Sequence, residues 1–264
     1  MKDIQKTESN HKIIIPKVGI QNFKLPITIL KKSGQTQNTV ADISIYVELN
    51  AEEKGTHMSR LIVGAQKFMN NKISRETLSD IAKYIANKLN TKSVELTYKF
   101  PYFLIKTSPL SKEVNINNVD VEFKYFKNNN IFKLTVLTTC TALCPCSKEI
   151  SDNSAHNQRS NIKISVFCDK NNFVWIEDLV EIANSSCSCQ TYSVLKRLDE
   201  KFVTEKAYHN PKFVEDIVRE IYDKLLNINI DNFEISVTNH ESIHQHNAYA
   251  FIEHKNNFNL KEKY

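Results

Sequence analysis

Glycine is scarce in this chain, with 4 residues in 264, and proline numbers only 6. So few breakers exclude a collagen-like or low-complexity chain and argue for long regular elements. No apolar run approaches the ~20 residues of a membrane span. The apolar run near the amino terminus, Ile13 to Ile15, is too short for the core of a signal peptide. We therefore expect a soluble, cytoplasmic chain with no membrane contact. There is no Walker loop and no Gly-x-Gly-x-x-Gly. Any nucleotide phosphates must then be held by Lys and Arg side chains and scattered backbone amides. Neither sign of charge dominates: 35 Lys plus Arg face 30 Asp plus Glu, a net charge of +5. That excess suits an anionic small substrate. It is too dispersed for a nucleic-acid groove, and aromatic and basic residues cluster on no one segment.

The apolar share, 41 %, is enough for a core. Ile43–Leu49 alternates as a strand does. Ser59–Met69 and Ser74–Leu89 read as helices, the second with Ile81, Ile85 and Leu89 one turn apart. Ser93–Ile105, Val119–Phe126, Ile131–Thr139 and Asn161–Cys168 read as strands, the middle two forming a hairpin about Lys127–Asn130. Val174–Ala183 and Pro211–Leu226 read as helices, with Asn210 as cap and Pro211 in the first turn. Phe233–Thr238 and Ala248–His254 close the chain as strands. Strands and helices come in groups rather than alternating singly. This predicts an α+β fold of antiparallel sheets with helices on one face, not a doubly wound parallel sheet. We divide the chain into a flexible amino terminus (1–12), a first unit (13–110) and a second unit (111–264), with Thr107–Ser111 as linker.

The six cysteines are Cys140, Cys144, Cys146, Cys168, Cys187 and Cys189. Without a signal peptide, clustered thiols point to metal or catalysis rather than disulfides. Cys144-Pro-Cys146-Ser-Lys148 and, twelve residues past Cys144, His156 with Arg159 form the densest group. Thiolate and imidazole both suit zinc and other late divalent metals, and no second pair completes a closed four-ligand site, so the site is of the open, catalytic kind. A Cys144–Cys146 disulfide is the competing reading, with poor geometry across one residue. Cys140 and Cys168 read as small strand hydrophobes, and Cys187 and Cys189 as incidental loop thiols. The segment 196–216 reads as a solvated loop and first helical turn, from which a carboxylate, Glu200, Glu205 or Glu215, can ligate a metal or accept two hydrogen bonds side by side from a substrate. His240, His244 and His246 fall within seven residues, and His244 and His246 share a face if they lie on a strand. Imidazoles there suit proton transfer, against the alternative of a polar surface loop. Thr56, His57 and Arg60 at a helix start suit a phosphate, or are an ordinary cap.

Taken in order, Lys54-Gly-Thr-His-Met-Ser-Arg60, Cys144-Pro-Cys-Ser-Lys-Glu-Ile-Ser151, Ala155-His-Asn-Gln-Arg-Ser160, Asp199-Glu-Lys-Phe-Val-Thr-Glu205, Asn210-Pro-Lys-Phe-Val-Glu-Asp216 and Glu241-Ser-Ile-His244, with Val18-Gly-Ile20, resemble the type IB GTP cyclohydrolases. The resemblance runs from about residue 16 to 254. It implies a tunnelling fold of tandem ββααββ units, a homotetramer with sites at subunit interfaces, and hydrolysis of GTP to 7,8-dihydroneopterin triphosphate and formate for folate and pterin synthesis. It implies Cys144, His156 and Glu200 as ligands of one divalent metal (zinc, manganese or iron(II)), with no organic cofactor. Glu215 would anchor guanine, His244 or His246 would act as acid–base group, and Cys146 would line the site. Lys148, Arg159 and Arg60 are the candidates for the triphosphate. Leu198 departs from the family pattern, where proline is expected, and so does the Cys187-Ser-Cys189 pair. Competing readings are another tunnelling-fold enzyme acting on a pterin or deazapurine through a nucleophilic cysteine, and a non-catalytic zinc-stabilised module. Metal content and its effect on folding separate them.

Overall fold

The computed structural model describes residues 5, 7–168 and 172–256. Its chain packs into two compact units. The first holds the described residues up to Pro101 together with Glu122–Leu134, and the second holds Tyr102–Val121 and the described residues from Thr135 onward.

In the first unit, β1 (Ile15–Leu30) and β2 (Thr36–Leu49) run antiparallel around a turn at Gly34, whose φ of 83° is a conformation glycine adopts without strain. Leu25, Ile27 and Ile29 on β1 and Ala41, Ile43, Ile45, Val47 and Leu49 on β2 are buried at every second position, the pattern of a sheet with one covered face. The cover includes α1 (Met58–Gln66) and α2 (Arg75–Leu89). Leu78, Ile81, Ala82, Ile85 and Ala86 form the buried stripe of α2. Ser74 caps it, its hydroxyl accepting from the Thr77 amide at 3.3 Å, and Asn90 ends it at φ 51°. Gly64 is where the two helices approach closely: a Cβ there would stand 2.5 Å from Ile85 Cγ1. β3 (Lys72–Ile73) adds a short parallel pairing to β1. With β4 (Val94–Thr107), β5 (Val114–Phe126) and β6 (Ile131–Leu143), which give residues to both units, the strand order here is β3-β1-β2-β4-β5-β6.

The second unit continues with α3 (Pro145–Ile150), β7 (Asn157–Cys168), α4 (Ile176–Ser186), β8 (Cys189–Gln190), α5 (Arg197–His209), α6 (Val214–Asn227), β9 (Asn232–His240) and β10 (Ala248–Lys255). Its strand order is β4-β5-β6-β7-β9-β10, with β8 on β6, and β7, β9 and β10 pair antiparallel. Ile162, Ile164 and Val166 of β7 and Phe233, Ile235 and Val237 of β9 are buried, as are Ile217, Ile221 and Leu225 of α6 and Leu179 and Ala183 of α4. Mixed α and β structure with antiparallel strands and grouped helices is what the sequence predicts. No helix among the described residues is long and apolar enough to cross a membrane.

The structure corrects the sequence reading in five places. β1 is a strand for which the sequence predicts no element. Pro26 interrupts its pattern, and among the described residues its far edge is paired only at Thr28 and Ile29, so a missing N–H is tolerated. Cys144 and His156 are separated by the short helix α3 rather than by loop alone. The charged segment expected as a solvated loop is the thirteen-residue helix α5, in which only Asp199 and Ala207 are buried, so it carries no apolar stripe to betray it. α6 starts at Val214, which leaves Pro211 in the connection, and Asn210 caps the end of α5 rather than the start of α6. His244 and His246 lie in the loop between β9 and β10, not on a strand. Of the amino-terminal stretch expected to be loose, residues 1–4 and 6 lie outside the described residues. Thr7 O accepts from Lys54 N at 3.1 Å, and Ser9 N donates to Glu52 O at 3.0 Å.

Candidate active site and metal centre

Cys144 stands where β6 ends and α3 begins. Its amide donates to His156 O at 3.1 Å, and its carbonyl accepts from the Lys148 amide and the Ser147 hydroxyl, each at 3.2 Å. Ser147 Oγ also accepts from the His156 amide at 3.1 Å. The turn of α3 thus folds the chain back and brings Cys144 and His156 side by side, as the sequence spacing suggested. The Cys144 sulfur accepts from Ser147 N at 3.5 Å. All six cysteines are free thiols, which removes the Cys144–Cys146 disulfide. Cys146 is exposed on α3, while Cys140, Cys168, Cys187 and Cys189 are buried.

The orientation of the His156 ring follows from its neighbours. Glu241 is a carboxylate and can only accept, so the amide nitrogen of buried Gln158 must face it, at 3.3 Å. Gln158 Oε1 is then the atom 3.0 Å from His156 Nδ1, and it demands a proton there. The neutral ring keeps its lone pair on Nε2, the nitrogen left for a ligand bond. A carboxylate, an amide and an imidazole in series are the arrangement that fixes a metal-binding histidine. Glu241 Oε2 lies 3.9 Å from Nδ1 and Ser242 Oγ lies 3.5 Å from it. Ser147, Gln158 and Glu241 all sit inside the sequence motifs, with no periodicity that marks them as supports of the site.

Glu200 lies in the first turn of α5, exposed, with no side-chain partner among the described residues. It shares a helix face with Val203 and Ala207; Ala207 clusters with Leu143 and Cys189, and Val203 and Ala155 both pack against that cluster, Leu143 and Ala155 being the residues just before Cys144 and His156. The far end of α5 is tied to the same place, because Lys148 Nζ donates to Tyr208 O at 2.6 Å and lies 4.5 Å above the Tyr208 ring. Among the described residues no three His, Cys, Asp or Glu side chains converge as a metal shell would. The donor chemistry nevertheless suits one: a thiol and an imidazole brought side by side by the α3 turn, and an exposed carboxylate, Glu200, on the face of α5 that also carries Val203 and Ala207.

Asp199, next to Glu200, is fully buried. Its Oδ1 accepts from Leu110 N at 2.8 Å and Ser111 N at 2.9 Å, and its Oδ2 from Lys196 N at 3.0 Å and from Ser111 Oγ. Burial pushes its carboxyl up, but these hydrogen bonds outweigh burial and hold it well below the usual carboxylate range. Leu198 is exposed and the family's missing proline leaves this network intact. Glu215 is exposed in the first turn of α6, whose start is fixed by Asp216 Oδ2 accepting from Phe213 N at 3.0 Å. The connection between α5 and α6 is anchored by Lys212 N donating to Leu143 O at 3.0 Å. His244 and His246 are exposed, their rings stacked 5.1 Å apart at 13°. Arg159 is exposed on β7. Arg60 belongs to the first unit, where with His57, Lys88 and Thr91 it lines a cleft of about 350 Å³, and its Nη1 donates to Lys88 O at 3.2 Å.

The family model described as type I GTP cyclohydrolase folE2 matches residues 1–250. The chain belongs to the GTP cyclohydrolase FolE2 family. A FolE2 protein of Magnetococcus marinus is 43 % identical over 257 residues, covering 96 % of each chain. Another, of Nitrosospira multiformis, is 45 % identical over 254 residues, covering 95 % of each. Type IB, the class resembled in the sequence, is the FolE2 class. Among solved structures a uricase from Bacillus fastidious aligns over 93 % of this chain and 94 % of its own, with TM-score 0.53 at 10 % identity. An active mutant of Bacillus sp. TB-90 urate oxidase aligns over 90 % and 99 %, with TM-score 0.51 at 8 % identity. At such identities the likeness is one of fold alone, a urate-oxidase-like fold carrying a FolE2 sequence.

Proposed function

We propose that this FolE2 chain hydrolyses GTP to 7,8-dihydroneopterin triphosphate and formate, the entry step of pterin and folate synthesis, in the cytoplasm. The observation that carries the reading is the Cys144–His156 pair, held by Ser147, with the His156 lone pair directed to Nε2 by Gln158 and Glu241. Cys144, His156 and Glu200 hold one divalent metal, zinc, manganese or iron(II). Such a metal supplies Lewis acidity and lowers the pKa of water toward ~7, which makes hydroxide available at neutral pH.

The chain's own residues do the rest. Glu215 accepts the N1–H and the 2-amino group of guanine side by side, which fixes the ring face. His244 or His246 protonates N7, which makes C8 electrophilic enough for water to add. The imidazole ring opens to a formamide, a second water releases formate, and the rearranged ribose closes on the diamine with loss of one water. Cys146 lines the site beside the reacting ring. Arg159 and Lys148 neutralise the triphosphate. The tandem ββααββ arrangement of a tunnelling fold and assembly as a homotetramer, with sites completed at subunit interfaces, go with this reading.

The test is formate release from GTP by protein stripped of metal and then resupplied with zinc or manganese. Metal-dependent formate, with a fluorescent pterin after oxidation, supports the reading. Cys144→Ala should lose metal and turnover together; a folded, active Cys144→Ala protein with full metal content would sink the ligand assignment.

A further inference from the structure

The inference concerns Asp199 and rests on Glu200 being a metal ligand. Asp199 is fully buried, yet it touches neither Cys144 nor His156 through any hydrogen bond. All of its accepting capacity is spent on four donors. Two are amides of the turn between β4 and β5, Leu110 and Ser111; one is the Ser111 hydroxyl; and one is the Lys196 amide that opens α5. The same turn is bound to the approach of α5 from both sides. Ser108 Oγ donates to Val194 O at 2.7 Å, and Lys196 Nζ pairs with Glu113. At its other end α5 is held by Ala207 against Leu143 and by Asn210 Nδ2, which donates to Cys187 O at 2.9 Å and Ser188 O at 3.2 Å. The second of these distances closes the same clamp on the loop after α4.

Glu200 follows Asp199 directly in the turn of α5 that these hydrogen bonds tie to the β4–β5 segment. Its own side chain has no partner, so nothing else in the described residues sets it. We infer that Asp199 is a positioning residue for metal binding, which presets Glu200 against the Cys144–His156 pair through the β4–β5 turn. Asp216 stands in the corresponding place on α6, where its carboxylate fixes the first turn that carries Glu215.

The experiment uses the full-length protein stripped of metal, titrated with zinc against a chelator and separately with cobalt(II) followed by its visible spectrum. Asp199→Asn keeps the size of the side chain and disturbs the four bonds. Ser111→Ala removes one of them without touching α5. Glu200→Ala is run beside them. With Glu200 a ligand, Glu200→Ala loses the metal or changes the cobalt spectrum. Asp199→Asn is then expected to weaken zinc affinity about 10- to 100-fold, as changes behind a ligand do. Ser111→Ala should move it the same way by a smaller factor, with the far-ultraviolet spectrum of the metal-free protein unchanged in both. If Glu200→Ala binds zinc as the wild type does, the ligand reading falls, and this inference with it. If Glu200→Ala fails while folded Asp199→Asn and Ser111→Ala bind zinc with wild-type affinity and an unaltered cobalt spectrum, the ligand reading stands and the positioning role is overturned. A merely structural Asp199 would lower the melting temperature and leave the zinc affinity of the folded protein where it was. If Asp199→Asn does not fold, Ser111→Ala decides by the same readouts.

Discussion

Replacing Gln158 by Met isolates the element that aims His156. Met has similar bulk and suits a buried position, but it offers no acceptor to Nδ1–H and no donor to Glu241. Two hydrogen bonds disappear, one of 3.0 Å to a neutral ring and one of 3.3 Å to a carboxylate. The first is worth about 0.5–1.5 kcal/mol and the second about 1.5–3 kcal/mol, so the expected loss of stability is about 2–4.5 kcal/mol before the gain from apolar packing. With its orienting acceptor gone, the ring is free to carry its proton on either nitrogen. Metal affinity should fall about 10- to 100-fold, equivalent to about 1.4–2.7 kcal/mol. Chelator competition on the folded protein, at a temperature well below its melting transition, measures the second effect apart from the first. Wild-type affinity in a folded Gln158→Met protein would refute the argument that Glu241 and Gln158 set the tautomer of His156.

Of the two stacked histidines, changing the one that protonates N7 to Gln should lower kcat about 10²- to 10⁴-fold with metal content intact, while the other variant stays near wild type; two active single variants would remove both from the proton transfer. Gly64→Ala should cost about 1–3 kcal/mol by overpacking against Ile85, read as a lower melting temperature, and an unchanged value would mean that α1 and α2 part without strain. Burial lowers the pKa of Lys106 below its ordinary value. A base lowered by folding costs stability wherever it is charged, and the penalty fades as pH rises from its folded toward its unfolded value of about 10.4. Denaturant midpoints at neutral pH and near pH 10 should therefore show the wild type gaining relative to Lys106→Met as pH rises; a constant gap would show that the ammonium is not penalised.

Legibility in the sequence divided along a physical line. Where a face is buried against a core, as in α2 with Leu78, Ile81 and Ile85 or in β2 with Ile43, Ile45 and Val47, the period is written in the residues and the element could be named. α5 buries almost nothing, so its helix was invisible to periodicity although it carries Glu200. β1 was hidden by Pro26 and by register shifts at Ile15/Val18 and Ile20/Phe23. The pairing of Cys144 with His156 was readable because it needed only a short chain reversal. The partners that aim and hold those side chains were not, because Gln158 meets Glu241 across 83 positions and Leu110 meets Asp199 across 89, distances that only the strand order supplies.

Leu143 has both of its backbone groups engaged, its amide to Ser188 Oγ at 3.0 Å and its carbonyl to Lys212 N. The residue ahead of Cys144 is thus the common fastening of two loops, one after α4 and one between α5 and α6. Neither loop can breathe without releasing the strand end that presents the thiol. Hydrogen exchange is therefore expected to find the end of β6, the loop after α4 and the approach to Glu215 opening as one cooperative unit rather than three. A substitution in either loop, far along the chain from Cys144, will therefore register at Cys144 as a change in how often the whole assembly opens.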